Sequence, residues 1–130
     1  MGRVRSLVTL ASLLLASCAP GADPLAGTAW TLEALNGDAL ITGTTITLTF
    51  GSGKVSRNSG CNMYGGDYTA TETQLEFSAL ASTAIGCDAP IMAQESAYFR
   101  ALGEAATYTA GGRLELTNGD NGETLSFTPD

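Results

Sequence analysis

The sequence predicts a mainly β domain of the α+β class: a small antiparallel, partly open β-barrel-like sheet of seven to eight strands, with one α-helix at about residues 89–102. Short segments that alternate apolar and polar residues indicate strands with one buried face. Glycine- and asparagine-rich turns separate these segments, and one stretch instead has a helical period. The residues from position 18 onward suffice for one domain and no more.

Five segments carry the period of two that is typical of strands. Their inward residues are Trp30 and Leu32; Ile46, Leu48 and Phe50; Leu75 and Phe77; Leu114 and Leu116; and Leu125 and Phe127. The turns between them hold "NGD" at 36–38, "GSG" at 51–53, "GG" at 65–66 and 111–112, and "NGDNG" at 118–122. These spacings predict antiparallel hairpins. A sheet of this size usually closes into a barrel or folds into a sandwich, and we favour the partly open barrel, covered at one end or face by the helix.

The helix is predicted from an apolar stripe at i, i+7, i+8 and i+11. That stripe holds Ile91, Tyr98, Phe99 and Leu102. Asp88 is placed to cap the first turn, Pro90 suits that turn, and Gly103 suits the end.

The N-terminus carries the features of an export signal, which we assign to residues 1–17. Arg3 and Arg5 precede an apolar run at 7–16, which is too short to span a bilayer as a helix. "LASC" at 15–18 resembles a bacterial lipobox, in which Cys18 receives a diacylglycerol and begins the mature chain. Residues 18–25 then form the lipidated cysteine and a tether. An ordinary cysteine beside an ordinary cleavage site is the alternative; a myristoylation pattern at residues 1–6 is disfavoured because an apolar run follows it.

The lipobox predicts a bacterial envelope protein held on a membrane by its N-terminal lipid. In a Gram-negative host, Ala19 after the lipidated cysteine resembles the signals for the outer membrane, with the domain facing the periplasm. Removal of the signal leaves four basic against thirteen acidic residues, a net charge of −9. An acidic surface of this kind argues against nucleic acid and against electrostatic docking on anionic lipid. We expect a monomer, with an unidentified envelope protein as a further partner.

Cys61 and Cys87 remain as a pair once Cys18 is lipidated, and export to an oxidising compartment predicts a disulfide between them. A metal site or a nucleophilic cysteine is the alternative. A two-thiolate zinc site would need carboxylates, and a nucleophile would need a base, since the chain has no histidine.

No set of residues predicts catalysis, a cofactor or a bound metal. Lys54 and Ser56 could form a catalytic Ser-Lys dyad on one strand face, but an ordinary exposed strand face is the better interpretation. Asp67 could orient a neighbouring tyrosine, although an exposed turn position is the better interpretation. Residues 118–123 lack the ligand spacing of a calcium loop and predict a hairpin.

Three stretches together resemble the META domain, the HslJ-like family of bacterial envelope proteins. They are "GTAWTLEALNG" at 27–37, "SGCNMYGGDY" at 59–68 and "STAIGCDAPIMAQESAYFRALG" at 82–103. The resemblance covers residues 26–128, and we assign the domain to 26–130. It implies a small β-rich fold with one helix and a link to heat shock, envelope stress and drug tolerance, and it supplies no catalytic residues. Ile85 stands where the family often has methionine.

Two functions remain open. The first is a non-enzymatic envelope lipoprotein that acts through protein or envelope interactions. The alternative is a small barrel that binds an apolar or aromatic ligand. Its candidate lining residues are Trp30, Tyr64, Tyr68, Tyr98 and Phe99.

Overall fold

The computed structural model describes residues 23–120 and 122–130, which form nine strands and one helix. The predicted signal peptide, Cys18 and most of the tether lie outside the described residues. In chain order the elements are β1 (Ala29–Leu35), β2 (Asp38–Ala39), β3 (Thr47–Phe50), β4 (Lys54–Asn58), β5 (Met63–Ala70), β6 (Leu75–Ser82), α1 (Ala89–Glu104), β7 (Thr107–Ala110), β8 (Leu114–Thr117) and β9 (Thr124–Pro129).

All strand pairs are antiparallel, and eight strands follow the order β6-β5-β4-β3-β1-β9-β8-β7, while the short β2 pairs with β1. The first and last strands of this order, β6 and β7, meet at two backbone hydrogen bonds. Leu75 N donates to Ala106 O at 3.1 Å, and Tyr108 N donates to Thr73 O at 3.0 Å. Helix α1 packs against β6 and β9 and covers the remaining opening. The predicted partly open barrel with one helix is therefore confirmed.

The apolar residues of the alternating segments meet in one core, as their period predicts. Phe50 and Phe127 are completely buried, as is Tyr98 on the helix. Phe50 also packs edge-on against Tyr68, with ring centroids 4.9 Å apart. Within the described part of the chain, no helix combines the length and apolarity needed to cross a membrane.

The ends of α1 differ from the prediction. Asp88 occupies the N-cap position, but its side chain makes no capping hydrogen bond. Gly103 lies inside the helix, which continues to Glu104 and is followed by Ala105 at φ −59°. Because the chain leaves in an extended conformation and leads into β7, the helix needs no left-handed glycine at its end.

The predicted tight turn at Gly65 and Gly66 is wrong, because both residues lie inside β5. Gly65 pairs with Ala81 and Asp67 with Ser78, so β6 places two residues opposite Gly66. This β-bulge brings the backbone of β6 close: a Cβ on Gly66 would lie 2.9 Å from Ser78 O. The glycine is needed for close backbone approach, not for a turn.

We expect Gly66→Ala to lower the free energy of unfolding by about 2 kcal/mol, because the added methyl group must displace a neighbouring backbone. Gly103→Ala is the matched control: a Cβ there has nothing within 4 Å, and alanine favours the helix. Urea unfolding of the two variants checks this, and equal stabilities would contradict it.

Candidate functional site

The turn at residues 59–62 closes around the carboxylate of Glu95, which projects from α1. Glu95 is only 5% exposed, and Ser59 and Asn62 are buried with it. Its Oε2 accepts hydrogen bonds from Ser59 Oγ at 2.6 Å, Asn62 N at 2.9 Å and Cys61 N at 3.3 Å. Its Oε1 accepts one from Asn62 Nδ2 at 2.8 Å. The carboxylate thus takes the place of an anion in a nest of N–H and O–H donors.

The local sequence explains why this turn can close. Ser59 N donates to Asn62 O at 2.8 Å, and Gly60 N donates to Asn58 Oδ1 at 2.7 Å. Gly60 has φ 103°, a left-handed conformation in which a side chain is strained. These bonds point the next two backbone N–H groups, of Cys61 and Asn62, at the helix.

The side chain of Asn62 extends the same network to the chain before α1. Its Oδ1 accepts hydrogen bonds from Ile85 N at 2.6 Å and Thr83 Oγ1 at 2.9 Å. Its Nδ2 lies 3.3 Å from Ile85 O, in addition to its bond to Glu95. Asn62 therefore links three segments: the turn at 59–62, the helix and the chain that leads into the helix.

The predicted disulfide between Cys61 and Cys87 is present, with Cα atoms 6.1 Å apart. Cys61 belongs to the turn around Glu95, and Cys87 directly precedes Asp88 at the helix start. The bridge therefore crosslinks the same two segments that Asn62 joins by hydrogen bonds.

Two opposing effects set the ionisation of Glu95. Burial alone raises the pKa of this carboxyl, but hydrogen bonds from Ser59, Asn62 and Cys61 outweigh it, so the pKa lies below its ordinary value of 4.5. Glu95 is thus a carboxylate at neutral pH, held by the turn and not available as a general acid.

Three of the five predicted ligand-lining aromatics pack on one another. Tyr64 stands edge-on to Tyr98 and Phe99, with centroid distances of 5.7 and 5.4 Å. The two tyrosine hydroxyls lie 2.6 Å apart, and Tyr64 Oη donates to Thr47 O at 2.9 Å. Burial raises the pKa of both phenols above the ordinary range. These hydroxyls are neutral members of the core.

The other two aromatics lie elsewhere. Trp30 Nε1 donates to Thr28 Oγ1 at 2.8 Å, and Tyr68 Oη donates to Gly51 O at 2.6 Å and also contacts Asp23. Surface clefts of about 530, 470 and 230 Å³ are formed by the described residues, and none of the five aromatics lines them.

The remaining sequence candidates make ordinary surface contacts. Lys54 forms an ion pair with Asp67 across β4 and β5, with the two side chains 75% and 44% exposed. Asp67 therefore lies within a strand, and its interpretation as an exposed turn position is wrong. Asn118 N donates to Glu123 O at 3.0 Å, which closes the hairpin between β8 and β9. In residues 23–120 and 122–130 no cluster of three acidic or cysteine side chains is arranged to hold a metal ion.

Sequence reasoning missed Glu95, although its position carried a signal. Glu95 lies four residues after Ile91 and three before Tyr98, on the apolar face of the predicted helix. A charged residue on a buried helix face requires partners, and the Gly-Cys-Asn turn supplies them.

We expect Glu95→Gln to lower the free energy of unfolding by about 3 kcal/mol, since hydrogen bonds to a charged group contribute roughly 1.5–3 kcal/mol each. The NH₂ group of the new glutamine is also a hydrogen-bond donor, and it would face the N–H and O–H donors of the turn at 59–62. Glu76→Gln is the control, because Glu76 is exposed on β6; its effect should stay within about 0.5 kcal/mol. A similar, small effect of both substitutions on denaturant unfolding would overturn the structural role of Glu95.

The depressed pKa of Glu95 also predicts a pH dependence. A group with a lower pKa in the folded protein stabilises it above the unfolded pKa and loses that contribution as pH falls through the folded pKa. The stability difference between the wild type and Glu95→Gln should therefore be largest at neutral pH and shrink below pH 4.5. Urea unfolding of both proteins from pH 7 to pH 3 measures it, and a constant difference would argue against a buried carboxylate.

Comparison with known proteins agrees with this architecture. No curated protein shows significant similarity to the chain. A protein from Burkholderia xenovorans, solved by NMR, superposes with a TM-score of 0.71 at 31% identity, over 82% of this chain and 83% of that one. A second NMR structure, at 20% identity and a TM-score of 0.63 over 81% of this chain and 91% of that one, shares the fold. The family model described as the META domain matches residues 23–130. The chain therefore belongs to the META domain family.

Proposed function

We propose that the protein is a non-enzymatic, lipid-anchored module of the bacterial envelope, whose META domain acts through protein or envelope interactions. The proposal rests on one observation: the side chains that could act as acids or bases form hydrogen bonds within the protein. Glu95 is held by the turn at 59–62, and the hydroxyls of Tyr64 and Tyr98 bond to each other in the core. A catalytic group must reach a substrate, and these groups are committed to the fold.

The anchor is supported by the sequence before the domain and by the contacts that hold Asp23 to the barrel. Cys18 follows an export-type segment and stands only a few residues before Asp23. Asp23 contacts Tyr68 and accepts a hydrogen bond from Leu25 N at 3.0 Å, so the start of the domain is fixed to the barrel. A lipid on Cys18 would hold this part of the barrel close to the membrane.

The proposed location is the outer membrane with the domain facing the periplasm, on the strength of Ala19 after Cys18. The relation to heat shock, envelope stress and drug tolerance is carried by the family resemblance. The alternative, a ligand-binding barrel, has less support because Tyr64, Tyr98 and Phe99 pack on one another.

We expect Cys18→Ala to move the protein from the membrane fraction to the soluble fraction, because acyl chains hold a protein on a bilayer through about 0.8 kcal/mol per buried methylene. Expression in a bacterial host, fractionation and immunoblotting measure the distribution. Mass spectrometry of the membrane-bound wild type should find a diacylglyceryl group on Cys18.

Ser17→Ala is the matched control, since it keeps a small residue before the cysteine and should leave the protein on the membrane. Continued membrane association of Cys18→Ala, with the control unchanged, would sink the lipoprotein proposal.

A further inference from the structure

The Cys61–Cys87 disulfide lies at the surface. Both cysteines are partly exposed, and residues 83–86 before Cys87 are exposed and outside any helix or strand. A protein that exchanges disulfides must bring its own thiolate to one of the sulfur atoms, so access of this kind is its first requirement.

Exposed apolar side chains flank the bridge, and the exposed, charged Asp88 directly follows Cys87. Met63 and Ile85, each 57% exposed, lie two residues from Cys61 and Cys87 respectively. Thr83 N donates to Met63 O at 3.0 Å, which places the two segments side by side. The stretches 59–66 and 79–87 contain no Asp, Glu, Lys or Arg. Large apolar side chains exposed on a fixed surface are typical of an interaction site.

The bridge is also duplicated by non-covalent contacts. Asn62 Oδ1 already holds Ile85 N, and Glu95 already holds the turn that contains Cys61. Opening the disulfide therefore leaves the turn, the helix and the sheet connected, and frees chiefly the short stretch that leads to the helix.

From these contacts we propose that the Cys61–Cys87 bridge is a substrate for a dithiol oxidoreductase of the thioredoxin type, which docks on Met63 and Ile85. A thiolate of the reductase attacks one sulfur of the bridge, forms a mixed disulfide and releases the other cysteine as a thiolate, which takes up a proton. The second thiol of the reductase then displaces the remaining cysteine. The reductase ends as a disulfide, and Cys61 and Cys87 gain two electrons and two protons.

The experiment measures how fast the bridge is reduced in the full-length chain. The chain carries Cys18→Ala, so Cys61 and Cys87 are the two cysteines that remain. Thioredoxin should reduce it at least about a hundredfold faster than dithiothreitol at equal dithiol concentration, because docking adds to the chemistry of exchange. Thioredoxin with its second active-site cysteine replaced by serine should be trapped as a mixed disulfide with the chain.

Met63→Ser combined with Ile85→Ser should slow thioredoxin about tenfold by removing the docking contacts, and leave the dithiothreitol rate unchanged. Ile41→Ser, at an exposed isoleucine outside these two stretches, is the control and should change neither rate. Equal rates for the two reductants, an equal effect of the double variant on both, or no effect on either would overturn the proposal.

Amide hydrogen exchange distinguishes a disulfide that can be reduced in the folded protein from one that the fold requires. After reduction, amide hydrogen exchange should rise at residues 86–88, while Ile85, held by Asn62, and α1 and the sheet keep their protection. Global loss of protection would instead show that the bridge is indispensable to the fold and would contradict the proposal.

Discussion

The hydrogen-bonded capture of the Glu95 carboxylate by the turn at 59–62 is the interaction on which the rest of this structure depends. It joins α1 to the start of β5, and through Asn62 it also positions the segment that leads into the helix. Among the described residues, the edges of the sheet join through a short seam at Gln74, Leu75 and Tyr108, and the helix packs against β6 and β9 beside it. A buried charge without partners is strongly destabilising. The helix is therefore stable only where the carboxylate of Glu95 reaches its donors in the turn at 59–62, and this fixes the position of the helix.

The alternation of apolar residues was enough to predict the antiparallel sheet, and the stripe at Ile91, Tyr98 and Leu102 was enough to predict the helix, because both signals are local. The role of Glu95 was not predictable in the same way. Its donors lie 33 to 36 residues earlier in the chain and meet it only after the sheet has folded. Gly65 and Gly66 were misassigned to a turn, since composition alone does not separate a turn from a strand where a neighbouring backbone comes close.

The same network bears on function. The fold brings the carboxylate of Glu95 together with the hydroxyl of Ser59 and the amide of Asn62, and these groups hydrogen-bond one another instead of facing a substrate. What the fold leaves exposed is different in kind: the disulfide and the apolar side chains of Met63 and Ile85 beside it. The buried polar network thus provides stability, and the exposed apolar side chains next to it form the docking surface that we propose.

Native-state hydrogen exchange at the backbone amides of Cys61 and Asn62 tests the central claim most directly, because these two N–H groups donate to Glu95. Both residues lie in a turn, where amides ordinarily exchange through small local openings. If the carboxylate holds the turn to the helix, NMR should find these amides protected to nearly the same free energy as the core of β5, and Glu95→Gln should remove that protection first. Rapid exchange of both amides in the wild type would contradict the account.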